Sequence, residues 1–403
     1  MLRTLTIKNF KSVVDLTLEL GRFNVFIGEN GCGKSNILEA LGMAAASAAD
    51  RTSVEDLFVR GIRVAKPSMM VNAFRGTDQG KLIEVALEYP YGSEGRSASD
   101  DYRLAASDAN WTNMNWVEMA ASLHDFGKEN PNFQHQLAAL AEVVEPAALG
   151  RAFSIALEKV IPARRERHLA AAPLREALLT YAIYCASTLA LRGLQVQSRH
   201  EPLGIYGEGL DVAIAQLPDE LRAELIDHAK MIAWLDDVEV DRGGARKLQG
   251  DKPGRSVSEL YFADRFLSDE RRVFSSENAN EGILHVLFHL VLFLHPRGPR
   301  LFAIDNIETA LNPHLLRHLV KALAGMAAAH DRQALVTTHN PAALDGLNLH
   351  DDEQRLFIVS RDDEGHTQAR RVTVKPEHAV NGAKLKLSEL WMRGLLGGIP
   401  THF

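Results

Sequence analysis

A chain of 403 residues, 46% of them apolar, has material for one large domain or two ordinary ones. The formal net charge of −7 excludes a global basic field that would draw the whole molecule onto nucleic acid, so any DNA contact must be a local patch. Two cysteines, Cys32 and Cys185, lie far apart in no metal-like spacing and fit a reducing, cytoplasmic setting. The opening MLRTLTIKNFKS reads as neither a signal nor a transit peptide. The longest apolar run, residues 283–294, is interrupted by His285 and His289 and is too short to span a bilayer, so a buried helix and no membrane are expected.

In chain order, residues 2–10 and 13–20 alternate apolar and polar side chains and read as two antiparallel strands. Residues 22–27, RFNVFI, suit a buried strand, and residues 36–49, rich in Ala, Leu and Met, suit a helix. Between them Gly28 to Ser35 read GENGCGKS, the pattern G-x-x-x-x-G-K-S in the strand–loop–helix context that makes it a phosphate-binding loop. Backbone N–H groups of Gly28, Asn30, Gly31, Cys32 and Gly33, with Asn36 in the first helical turn, are expected around phosphate oxygens. Lys34 neutralises the terminal phosphates, and the Ser35 hydroxyl is placed to ligate Mg2+. Cys32 reads as a tolerated variable loop position rather than a redox switch. The implied ligand is a nucleoside triphosphate.

Residues 68–74 and 81–89 read as two further strands joined by a turn at 76–80, and residues 91–109, small and polar, read as an exposed loop. Beyond them Ala- and Leu-rich helical stretches are punctuated by Pro131, Pro146, Pro162 and Pro173, which predicts a compact helical insertion and no long helix. Arg164, Arg165 and Arg167 read as a solvated face ahead of a nucleic-acid contact. Residues 195–217 suggest strand, turn and helix, and 221–235 an amphipathic helix. Residues 241–256 form a glycine-rich loop in which Arg242, Arg246, Lys247, Lys252 and Arg255 are the best phosphate-contacting patch, an ordinary hairpin loop being the simpler reading. Asn280, Glu281 and Gly282 open the apolar helix, residues 300–305 form a strand ending in Asp305, and residues 333–338 form another ending before His339.

In this order the pieces resemble the ABC-type ATPases of the SMC/RecF/Rad50 class, and more closely the AAA-family ATPases of OLD-like and Septu-like bacterial defence systems. LTIKNFKS followed by FIGENGCGKSN is the usual opening of that class. Asn280, Glu281 and Gly282 stand where its signature loop reads Ser-Asp-Gly, FAIDNIETALNP matches its Walker B segment and D-loop, and VTTHNPAALD its histidine switch. LSELWMRGLLGGIP resembles tails of these ATPases, so the likeness covers roughly residues 1–90 and 255–400. It implies an α/β ABC/SMC-type head with an antiparallel β layer and an inserted helical subdomain, divided as 1–92, 93–194 and 195–403. It also implies ATP and Mg2+, with Ser35 and Asp305 on the metal and His339 on the γ-phosphate. The P-loop of one copy and the signature of another would sandwich the nucleotide in a homodimer.

Asn280 in place of Ser keeps a hydrogen-bond donor and is a mild departure. Asn306 is a larger one, because the class usually carries Glu there as general base, and an amide positions water without accepting its proton. Either Glu308 takes over and turnover is ordinary, or hydrolysis is slow and the ATP-bound dimer long-lived. Gln79, Gln195 and Gln197 are equivalent candidates for the glutamine loop of the class. About sixty residues follow His339, too few for the nuclease domain of OLD-like proteins. Asp351, Asp352 and Glu353 read as a solvated loop, and His285, His289, His314 and His318 as packing or surface histidines. The resemblance therefore implies a switch for a separately encoded effector, a nuclease, in antiphage defence. A RecF/Rad50-like repair ATPase that clamps DNA and a scaffold with structural ATP are the alternatives.

Overall fold

The computed structural model describes residues 1–74, 82–91, 96–106, 111–113, 162–193, 201–241, 259–269, 272–373, 379–380, 383–384 and 386–397. Its centre is a six-stranded sheet built on β3 (Phe23–Gly28), which lies between β12 (Gln333–Thr338) and β13 (Gln354–Arg361), both parallel to it. Outward from β12 come β11 (Leu301–Ile304) and β7 (Ile183–Tyr184), also parallel, while β14 (Thr367–Val372) closes the far edge antiparallel to β13. A strand between two parallel neighbours is buried on both faces and reads as a continuous apolar run. All six residues of β3 are accordingly buried. Phe23, Val25 and Ile27 pack into one core with the helices α3 (Glu281–Leu294) and α4 (Pro313–Ala329), while Phe26 faces the other core with α1 (Lys34–Ala48). Asn24, buried on the same strand, is satisfied by the carbonyls of Gly21 and Ala334.

The second layer is an antiparallel sheet ordered β2 (Val13–Glu19), β1 (Thr4–Phe10), β4 (Leu82–Tyr91), β5 (Arg96–Ala106) and β6 (Trp111–Asn113). Leu5 and Ile7 of β1 and Ile83, Val85 and Leu87 of β4 fill the core beneath α1. A third, three-stranded sheet joins β8 (Leu235–Asp241), β9 (Glu259–Asp264) and β10 (Val273–Ser275). The α/β head with its antiparallel layer is thus as the resemblance implied.

Four local expectations change. Within the stretch 91–109 expected to be a loop, the described residues 96–106 form β5, which pairs with β4 from Leu82↔Ala105 to Tyr91↔Arg96. The small polar residues of β5 carry little strand propensity, and the partner strand supplies what they lack. Residues 68–74 are no strand either. Pro67 starts a single helical turn, Pro67–Met70, and only Val71 bridges to Phe10. The helix predicted over 221–235 runs from Asp219 to Ala229, because Leu235 already begins β8. Pro162 and Pro173 both lie within one helix, α2 (Pro162–Leu179), whose first turns carry Arg164, Arg165 and Arg167. The turn at 76–80, residues 114–161, Gln79, Gln195, Gln197 and the basic patch at 242–256 lie outside the described residues. Among the described residues no helix is long and apolar enough to cross a membrane.

Candidate active site

Parallel sheets gather ligands outside the carboxyl ends of their strands. Here the ends of β3, β11 and β12 bring Gly28, Asp305 and His339 to one place. The loop from β3 to α1 turns through two left-handed glycines, Gly31 (φ 76°) and Gly33 (φ 107°), a backbone that points successive N–H groups inward as an anion nest. Gly33 has a second reason to be glycine. A Cβ there would lie 2.1 Å from Thr367 Oγ1 and 2.9 Å from Ser12 Oγ.

Lys34 opens α1 and is buried; its Nζ donates to the carbonyls of Gly28 (2.9 Å) and Glu29 (2.7 Å) and lies 3.3 Å from Nδ1 of His339. Burial lowers its pKa from the ordinary lysine value, against the opposing pull of Cys32, Asp305 and Glu308. One residue on, Ser35 Oγ donates to Asp305 at 3.1 and 3.0 Å, and Thr337 Oγ1 donates to the same carboxylate at 2.5 Å. Thr337 Oγ1 also accepts the backbone N–H of Asn306 at 2.9 Å. Asn306 sits at φ 57°, a left-handed conformation that Asn tolerates better than Glu. Glu308 Oε1 accepts the backbone N–H of His339 at 2.8 Å. Lys34, His339 and Glu308 thus form one hydrogen-bonded set and Ser35, Asp305 and Asn306, through Thr337, another, and the two meet at the adjacent residues Lys34 and Ser35.

The hydroxyl and carboxylate oxygens of Ser35 and Asp305 form the hard donor pair that Mg2+ prefers, and the nest with Lys34 beside them fits a triphosphate. Asn280, Glu281 and Gly282 stand elsewhere. Asn280 and Glu281 are exposed at the start of α3, where Asn280 Oδ1 caps the helix by accepting from Ile283 N at 3.2 Å. A Cβ on Gly282 would meet Ala310 O at 3.4 Å, so this turn abuts the segment after Glu308. His285 and His289 are buried inside α3, the rings of His314 and His318 in α4 lie 4.5 Å apart at a tilt of 52°, and among the described residues no group of three or more His, Cys, Asp and Glu side chains could hold a metal.

Several residues of the site carry no sequence signal. Thr367 Oγ1 donates to Cys32 O at 2.9 Å and meets Ser12 Oγ at 2.7 Å, which in turn accepts from Asn36 Nδ2 at 2.6 Å. Arg361 Nε donates to Gly31 O at 2.9 Å, so the β13–β14 hairpin grips the P-loop from outside. Beneath the first turns of α1, buried Glu39 holds Lys11 Nζ at 2.5 Å and Arg63 Nε at 2.6 Å, and Arg63 reaches Asn36 Oδ1 at 3.4 Å. Of these, Asn36 is expected beside the phosphates from the sequence, and Lys11 and Ser12 lie in the opening NFKS; Glu39, Arg63, Arg361 and Thr367 carry no signal.

A family model described as "AAA domain, putative AbiEii toxin, Type IV TA system" matches residues 101–345, more than half of the chain. The chain belongs to this AAA-domain family. A second model, "AAA ATPase domain", matches residues 1–138 of the same AAA protein. It is 33% identical to the DNA replication and repair protein RecF of Pediococcus pentosaceus over 99 residues, 24% of this chain and 25% of that protein. RecF of Lactococcus lactis subsp. cremoris is also 33% identical, over 103 residues, 25% of this chain and 27% of that protein. The match thus spans about a quarter of the length of these curated relatives. Among solved structures it resembles an SMC head bound to the C-winged helix domain of ScpA, with a TM-score of 0.54 at 11% identity, covering 94% of this chain and 99% of that one. The AAA protein thus has the fold of an SMC head, carries a stretch that matches an AAA ATPase domain, and is RecF-like over about a quarter of its length. ATPases of this kind use ATP, typically with Mg2+.

Proposed function

We propose that this AAA protein is an ATP-driven dimerising switch. It binds MgATP at residues 28–35, Asp305 and His339, closes on a second copy whose Asn280, Glu281 and Gly282 cap the nucleotide, and relays that state to a separately encoded effector, a nuclease, in antiphage defence. The observation that carries the reading is the bond of 3.0 Å between Ser35 and Asp305, two groups 270 positions apart in sequence that meet beside a lysine-bearing anion nest. The exposure of Asn280 and Glu281 at the start of α3 supports capping in trans. Their helix N-terminus offers N–H groups and a favourable dipole to a partner's phosphate.

Within each site Lys34 neutralises phosphate charge, Ser35 and Asp305 hold the cation, and His339 and Asn306 orient water. The bound Mg2+ supplies further charge neutralisation on the phosphates. An amide at 306 takes no proton, so turnover is slow and the closed state persists. The toxin named in the family's description supports the defence role. The RecF likeness supports a second reading, a repair ATPase that clamps DNA.

Light scattering with and without MgATP tests the switch. Wild type should become dimeric with MgATP and Lys34→Ala should not; a wild type indifferent to nucleotide, or a Lys34→Ala protein that dimerises equally, would refute it. A stable DNA-free complex with the product of an adjacent gene favours the effector role. Salt-dependent, ATP-dependent DNA binding by the isolated protein favours the second reading.

A further inference from the structure

The geometry points to Glu308 as a positioning residue that sets the switch histidine, not as the base that takes a proton from water; this deepens, and rests on, the ATPase reading above. Glu308 stands on a turn whose shape is independently fixed. Ile307 is buried and donates its N–H to Thr337 O at 3.1 Å, Thr309 N bonds Asn306 O at 3.1 Å, and Leu311 N bonds Glu308 O at 3.0 Å. From that turn the carboxylate crosses to the end of the neighbouring strand. There Oε1 accepts the N–H of His339, the first residue beyond β12.

On the other side of His339, Asn340 N donates to Thr338 Oγ1 at 3.0 Å and Asn340 Oδ1 caps the turn at Ala342 N, 3.0 Å away. The backbone of the histidine is thus pinned from both sides, which sets its exposed imidazole 3.3 Å from Lys34 Nζ. A general base needs an oxygen that water can reach. Glu308 Oε1 is spent on the backbone, and Oε2 is buried from solvent and without a hydrogen-bond partner among the described residues. What the carboxylate does in this arrangement is hold, and an amide oxygen can hold the same N–H.

Two measurements on the full chain test this with Glu308→Gln and Glu308→Ala. In nucleotide-free protein labelled with 15N-histidine, the His339 amide should exchange slowly in wild type and Glu308→Gln, and about tenfold or more faster in Glu308→Ala. In steady-state hydrolysis, Glu308→Ala should lose about tenfold to a hundredfold in kcat, the worth of a hydrogen bond to a charged group. Its affinity for a fluorescent MgATP analogue should stay within about threefold, and Glu308→Gln should recover most of the kcat loss. A Glu308→Gln enzyme as slow as Glu308→Ala would identify a base and overturn the assignment. So would a His339 amide that exchanges equally in all three proteins. A wild type that binds no ATP would instead overturn the ATPase reading, while the exchange experiment would still decide whether Glu308 holds His339.

Discussion

Mild acid should loosen the helix that carries the signature turn. His289 is 2% exposed in the middle of α3, its Nδ1–H donating to His285 O at 2.6 Å, which one proton on the ring satisfies. Burial, reinforced by His285, pushes its pKa down to about 3, and burial pushes His285 down to about 4 against the pull of Glu281. In the unfolded chain both return to about 6.5, so below that pH the unfolded state binds protons that the folded state refuses. The stability from keeping these rings neutral is therefore complete above about pH 6.5 and is lost as pH falls toward the folded values. Each pH unit below 6.5 costs ~1.4 kcal/mol per histidine, so His289 alone costs about 2 kcal/mol at pH 5, and the adjacent pair at most about 4. Against a domain stability of about 5–15 kcal/mol this is a large fraction.

Urea unfolding of wild type and His289→Leu, followed by fluorescence of the 4 tryptophans at pH 7.5, 6 and 5, isolates the effect, because carboxylate titrations cancel between the two proteins. The wild type should lose about 2 kcal/mol more than the variant between pH 7.5 and 5. Parallel pH profiles would refute the reasoning and mean that His289 accepts its proton while folded.

Three further outcomes follow from the same geometry. Gly33→Ala places a methyl 2.1 Å from Thr367 Oγ1 at φ 107°, and should abolish ATP binding and cost about 1–3 kcal/mol in thermal unfolding; normal nucleotide affinity would contradict it. Asn306→Glu supplies an acceptor for the proton of the attacking water and should raise ATP turnover about tenfold or more, whereas an unchanged rate would show that the amide is not what slows hydrolysis. Lys11→Met leaves buried Glu39 with Arg63 as its remaining cation and should lower stability by about 1–3 kcal/mol in urea; an unmoved midpoint would show that Arg63 suffices.

Much of the head was legible because its signals are local. The P-loop needs glycines where the backbone turns left-handed, and β3, β11 and β12 read as apolar runs because each lies deep in a sheet buried on both sides. The failures share a cause. β5 is made of small polar residues that become a strand through β4, Pro67 converts an alternating run into a turn, and α2 carries Pro173 without ending. In each, a neighbour in space or a single backbone constraint outweighed the periodicity.

For the site itself, sequence alone determined the chemistry on offer: a lysine and a serine after a glycine loop, an aspartate ending one strand, a histidine ending another. Covalent neighbours impose those patterns, so they survive in a linear text. Only the tertiary structure decided which of these groups meet. It put Ser35 on Asp305, gave Glu308 a backbone N–H to hold, set Thr367 and Arg361 against the P-loop, and left Asn280 and Glu281 facing outward. Hydrogen bonds across hundreds of residues depend on how two strands end side by side, and nothing in the spacing of either strand records that.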